Sequence, residues 1–183
     1  MRKLTFLLSW SSAQKWILLG IPVLILLGFP MHFVYEWSRN SPIVGAIAPV
    51  SESIWEHLKL TFWPVLLWWL AGYLLWKKKP GFNAANWVAG CAVAEFICPL
   101  VIAGFYYLYN GSLGIESLAL NILALFLGVL LAQCLALHIY NHARCGLACV
   151  VASLAVLIVM VILYTVFTFT APNIPLFQAH NAG

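Results

Sequence analysis

Long apolar stretches divided by short polar breaks organise this chain. The apolar runs cover Trp16 to about Trp37, Ser53 to Trp76, Ala85 to Tyr109, Ser117 to Tyr140 and Gly146 to Thr170. The breaks carry turn chemistry: Ser38-Arg39-Asn40-Ser41-Pro42, Lys77-Lys78-Lys79-Pro80-Gly81, Asn110-Gly111-Ser112 and Asn141-His142-Ala143-Arg144. Backbone polar groups cannot stay unpaired in lipid, and each run far exceeds the roughly 10 residues of a membrane strand, so each is read as a helix. The pattern predicts an all-α, polytopic membrane protein with five transmembrane helices. There is no internal repeat, so residues 1–183 form a single membrane domain.

Composition agrees with this reading and excludes other classes. Of 183 residues, 64% are hydrophobic and 8% charged, against the roughly 25% charged residues of a soluble domain. A soluble enzyme is excluded, and a net charge of +4 without a basic patch excludes a nucleic-acid partner. The bilayer is the expected partner. Arg2, Lys3, Lys15, Lys77, Lys78, Lys79 and Arg144 fall on one side of the spans, and Arg39 alone on the other. That asymmetry places the N-terminus in the cytoplasm and the C-terminus outside. The opening Met1 to Leu8 has too short an apolar run for a signal peptide and reads as a cytoplasmic tail or interfacial turn. Trp37, Trp68, Trp69, Trp76, Trp87 and Tyr106/Tyr107/Tyr109 fall near span ends, as interfacial aromatics do. Lys59, just beyond His57, argues for an interfacial position as well. The five cysteines imply no disulfide framework.

Ionisable residues in such a chain cost roughly 2.5–3.5 kcal/mol each at a helix centre, which makes them the best functional markers. Three groups stand out. His32 and Glu36 are four apart at the outer end of the first helix, while Glu52/Glu56 and Ser53/His57 are four apart at the outer start of the second. Imidazoles with carboxylates suit Zn²⁺, with His32, Glu36 and His57 as ligands and Glu56, Ser53 and Glu52 as acid/base or water-orienting groups. The structural alternative is a capping box at Ser53–Glu56 with ion pairs from Glu52 or Glu56 to Lys59 and from Glu36 to Arg39. Glu95 lies mid-span, four residues before Pro99, which leaves a carbonyl without its usual donor. A carboxylate and a free carbonyl at one depth suit an ion or proton path; a protonated Glu bonded to a neighbouring helix is the alternative. His138 and His142, at the inner end of the fourth helix, are a second and weaker metal pair or simply two interfacial histidines.

The run His32-Phe-Val-Tyr-Glu36-Trp37-Ser38 and the segment Ala48-Pro49-Val50-Ser51-Glu52-Ser53-Ile54-Trp55-Glu56-His57-Leu58-Lys59-Leu60, with Pro172 to Phe177, resemble a family of small bacterial membrane proteins of unknown function. The resemblance implies a multi-pass protein of the bacterial inner membrane and no particular reaction. Members commonly have Asn where this chain has Ser51 and an acidic residue where it has Gln178-Ala179. A weaker resemblance joins Ser53-x-x-x-His57, Glu95 and His138-x-x-x-His142 to the membrane hydrolases that include alkaline ceramidases and adiponectin receptors. It implies zinc held by three histidines and attack of a bound water on an amide. That superfamily usually has Asp where this chain has Glu95, and it has seven helices. On a five-helix reading His57 and the later pair lie at opposite faces of a roughly 30 Å core, so the outer His/Glu cluster is the preferred site.

Three functions are open: a zinc-dependent membrane hydrolase of lipid-like substrates, a small cation- or proton-coupled transporter, and a non-catalytic membrane subunit.

Overall fold

The computed structural model describes residues 10–178, and the expected N-terminal tail or turn, Met1 to Leu8, lies outside them. Among the described residues the chain is all-helical without a β-strand. The elements are α1 (Ser12–Met31), α2 (Val34–Trp37), α3 (Pro42–Gly45), α4 (Ile54–Trp76), α5 (Ala84–Tyr106), α6 (Leu118–His142) and α7 (Leu147–Phe169). A π-helical turn, Tyr107–Gly111, prolongs α5, and a 3₁₀ turn, Pro175–Phe177, follows α7. Five helices are long and apolar enough to cross a membrane: α1, α4, α5 with its π turn, α6 and α7.

Local chemistry sets the helix ends. At the start of α1, Ser11 Oγ accepts from Gln14 N–H while the Gln14 side chain accepts from Ser11 N–H. This reciprocal cap begins the helix before the expected Trp16. The same helix stops at Met31, whereas the apolar run continues to Trp37. His32 and Phe33 N–H donate to the carbonyls three residues back, at Phe29 and Pro30, which tightens and turns the chain before α2. At the far end of the bundle, Asn86 donates to the carbonyls of Tyr140 and Ala143 and so satisfies the exposed end of α6.

In the packing, α1 lies against α4 and α6, α5 runs along α6, and α7 leans mainly on α5. In its most apolar 18-residue window, α7 has a mean hydropathy of 2.9 and is 6% buried. Two close approaches need glycine. A Cβ at Gly72 would lie 2.5 Å from Trp87 Cζ2, and one at Gly128 would lie 2.6 Å from Ile102 and 3.0 Å from the Cys98 carbonyl.

Several of the tryptophans near span ends are also core residues of the bundle. Trp69 and Trp87 are 1% and 2% exposed, and Trp87 Nε1 donates to the Trp69 carbonyl. Trp16 and Trp68 stack at 4.1 Å, each donating its indole N–H to the other's backbone carbonyl. An indole brings large apolar area and a donor that needs a partner, and the bundle supplies both. Trp37 is exposed. Cys145 and Cys149, expected to be unpaired, are joined as a disulfide. The loop before Leu147 ends the preceding helix and brings their Cα atoms to 5.3 Å.

Candidate metal centre and its cavity

The loop between α3 and α4 is held down by a buried ion pair. Lys59, wholly buried, donates from Nζ to Glu56 Oε2 at 2.7 Å, to the Gly45 carbonyl at 2.9 Å and to Thr168 Oγ1. Lys59 is thus an interior residue of the fold, held among α3, α4 and α7. Burial of this charge is tolerated because each donor direction meets an oxygen. Glu56 Oε2 also accepts from Val50 N–H, and Trp63 Nε1 donates to the Ala46 carbonyl. These bonds pin residues 45–50 against α4 and α7, which carries Ser51 to Ser53 to the start of α4.

Ser53 is the N-cap of α4: its Oγ accepts from Glu56 N–H at 3.3 Å. His57, one turn on, has its Nδ1 2.9 Å from the Ser53 carbonyl. A carbonyl only accepts, so Nδ1 carries a proton, and in the neutral imidazole Nε2 is then the nitrogen with the free lone pair, on the ring edge away from Ser53. That Nε2 lies 3.2 Å from His32 Nε2 and 3.3 Å from Glu52 Oε2, with His32 to Glu52 at 3.8 Å. Four donors around zinc at about 2.05 Å stand about 3.3 Å from one another. Three donors at near-tetrahedral spacing, one held through its second nitrogen, could hold such an ion.

The remaining predicted residues stand elsewhere. The turn at His32-Phe33 interrupts the helix that would have stacked His32 over Glu36, and Glu36 is exposed on α2, outside the trio. Glu56 serves the ion pair and Ser53 the cap. His138 and His142 stack at 4.4 Å near the end of α6, where His142 Nδ1 meets the His138 carbonyl. Seventeen residues separate Asn121, beside the trio's cavity, from His138, roughly 25 Å along a helix. Glu95 is fully buried in mid-α5, and neither of its oxygens finds a hydrogen-bond partner among the described residues. Sequence reasoning did not single out Gln133 on α6, which is buried in the same unpartnered condition.

The trio opens onto a cavity of about 760 Å³, within the range of small-molecule sites. Its floor is apolar, made by Gly28, Leu60, Ile102, Ala124 and Leu125, each about a turn deeper than the polar residues of its helix. Its mouth is polar, with His32, Glu52 and His57 on one side and Tyr106, Tyr109, Asn110, Glu116 and Asn121 on the other. The chain after α7 folds back over this end: Phe177 packs on Trp55 at 4.9 Å, and Gln178 lines the cavity.

With this geometry in view, comparison by sequence gives a family. Residues 6–183 match the family of unknown function DUF6512. The chain belongs to that family. The match covers nearly the whole chain and agrees with the expectation of a family of unknown function. No curated protein and no solved structure matches at a significant level.

Proposed function

We propose that this member of the family is a multi-pass protein of the bacterial inner membrane, N-terminus in the cytoplasm, that acts as a metal-dependent hydrolase on lipid-like amides or esters. The observation that carries the reading is the coincidence of two features: two imidazoles and a carboxylate at metal-ligand spacing, and an amphipathic cavity leading directly from them. Bound Zn²⁺ would supply a nucleophilic water near neutral pH. His32, His57 and Glu52 would hold the ion, and the Ser53 carbonyl would keep His57 in the ligating tautomer. The apolar floor would take the acyl chain and exclude bulk water from the reacting carbonyl.

Metal analysis of protein purified in neutral detergent tests the reading. About one zinc per chain is expected in the wild type and none in His32→Ala or His57→Ala, with release of fatty acid from an N-acyl amide lost in parallel. A wild type that takes up no divalent metal under any preparation overturns it.

Glu95 and Gln133 favour a second reading, cation- or proton-coupled transport, because buried groups without partners mark ion pathways in membrane proteins. Flux into proteoliposomes that Glu95→Gln abolishes would support it. Flux unaltered by that substitution would remove it.

A further inference from the structure

The cavity mouth has a second polar wall that the metal trio does not use. Tyr106 and Tyr109 meet edge to face at 5.5 Å, and the Tyr109 hydroxyl donates to Asn121 Oδ1. The loop after them is folded back and fastened: Gly114 N–H donates to the Asn110 carbonyl at 2.9 Å, Ile115 N–H to the Tyr109 carbonyl at 3.2 Å, and Asn110 Nδ2 to the Ile115 carbonyl. Gly114 takes a φ of 63°, where a side chain would be strained, and so permits this reversal. The consequence is that Glu116, the next residue after Ile115, lines the cavity together with the two tyrosines. The lining includes two carboxylates, Glu52 and Glu116, and neither Lys nor Arg.

We propose that this wall is a cation subsite, and that the cavity takes a single-chain amphiphile whose head carries an ammonium group. A carboxylate beside aromatic rings attracts an ammonium by charge and by the ring quadrupole. With Glu52 committed to the metal, Glu116 is the carboxylate left for the head group, and no Lys or Arg of the lining competes for it; in the metal-free protein an anionic head meets two carboxylates without a fixed counter-charge, which selects against fatty acids and phosphates. The chain of the amphiphile lies on the floor formed by Gly28, Leu60, Ile102 and Leu125. The inference deepens the hydrolase reading by naming its substrate class, but ammonium binding itself requires no metal.

The experiment is equilibrium binding of radiolabelled dodecyltrimethylammonium and laurate to the full chain in nanodiscs, stripped of metal with a chelator, with partition into empty discs subtracted. Saturable ammonium binding, with laurate at least tenfold weaker, is expected. Glu116→Gln should weaken ammonium binding about fivefold, Tyr106→Leu by a similar factor, and Tyr106→Phe little, since phenylalanine keeps the ring face. Equal binding of the two amphiphiles, or ammonium binding unaffected by Glu116→Gln, overturns the proposal. Run in parallel, His57→Ala separates the two readings. Ammonium binding that survives this substitution, in a protein whose wild type takes up no zinc, supports the cation subsite and sinks the hydrolase.

Discussion

At the residue scale, Glu52 and Glu36 exchange the roles that helical spacing gives them. A continuous helix would place Glu36 over His32, but the chain turns after Met31. Glu52, from a loop, then meets both imidazoles instead, within 3.8 Å. Glu52→Gln is expected to weaken zinc binding at least tenfold, by analogy with the loss on altering groups around a metal. Glu36→Gln should leave it unchanged. Competition against a chromophoric chelator measures both, and a larger loss in Glu36→Gln would refute the trio. Pro30, in the last turn of α1, was a local sign that the helix weakens there, since it cannot donate to the carbonyl four residues earlier. The choice of Glu52 had no such local sign, because it depends on how a loop lies on two helices.

At the element scale, the loop after α3 owes its position to a few bonds from α4. Lys59 and Glu56 are one turn apart, so their pairing was readable from spacing. Their burial was not, since it requires Gly45 and Thr168, far away in sequence, to converge on the same nitrogen. Lys59→Met removes the cation and strands a buried carboxylate, which should destabilise the protein by about 3–5 kcal/mol. The double variant Lys59→Met/Glu56→Leu should recover much of that loss, because the uncompensated charge goes with the second change. Denaturation in mixed micelles reads both. A single variant as stable as wild type would show that the pair is dispensable.

At the scale of the whole molecule, four long helices, α1, α4, α5 and α6, contribute to one cavity, and its use can be tested without touching a polar group. Gly28 lies on the floor, where an added Cβ would stand 3.1 Å from Leu125 Cδ1. Leu125 can yield by rotating its end, so Gly28→Leu is expected to place its side chain in the cavity and keep the fold. Zinc content should be unaltered while turnover of a long-chain substrate falls at least tenfold, since a floor filled by the leucine side chain cannot take the acyl chain without strain. Equal turnover of long- and short-chain substrates in this variant would place the acyl chain elsewhere.

The amino-acid sequence alone determined the helical class, the five long apolar helices and the presence of His/Glu pairs beside a loop. These follow from hydrophobic run length, turn residues and i, i+4 spacing, all local properties of the chain. Tertiary structure decided which carboxylate joins His32 and His57, why Lys59 can be buried, and that Trp69 and Trp87 belong to the core. It also decided that Tyr106 and Glu116 face the same cavity as His57. Each of these depends on where separate elements meet, and contacts between residues distant along the chain leave no periodic trace in it.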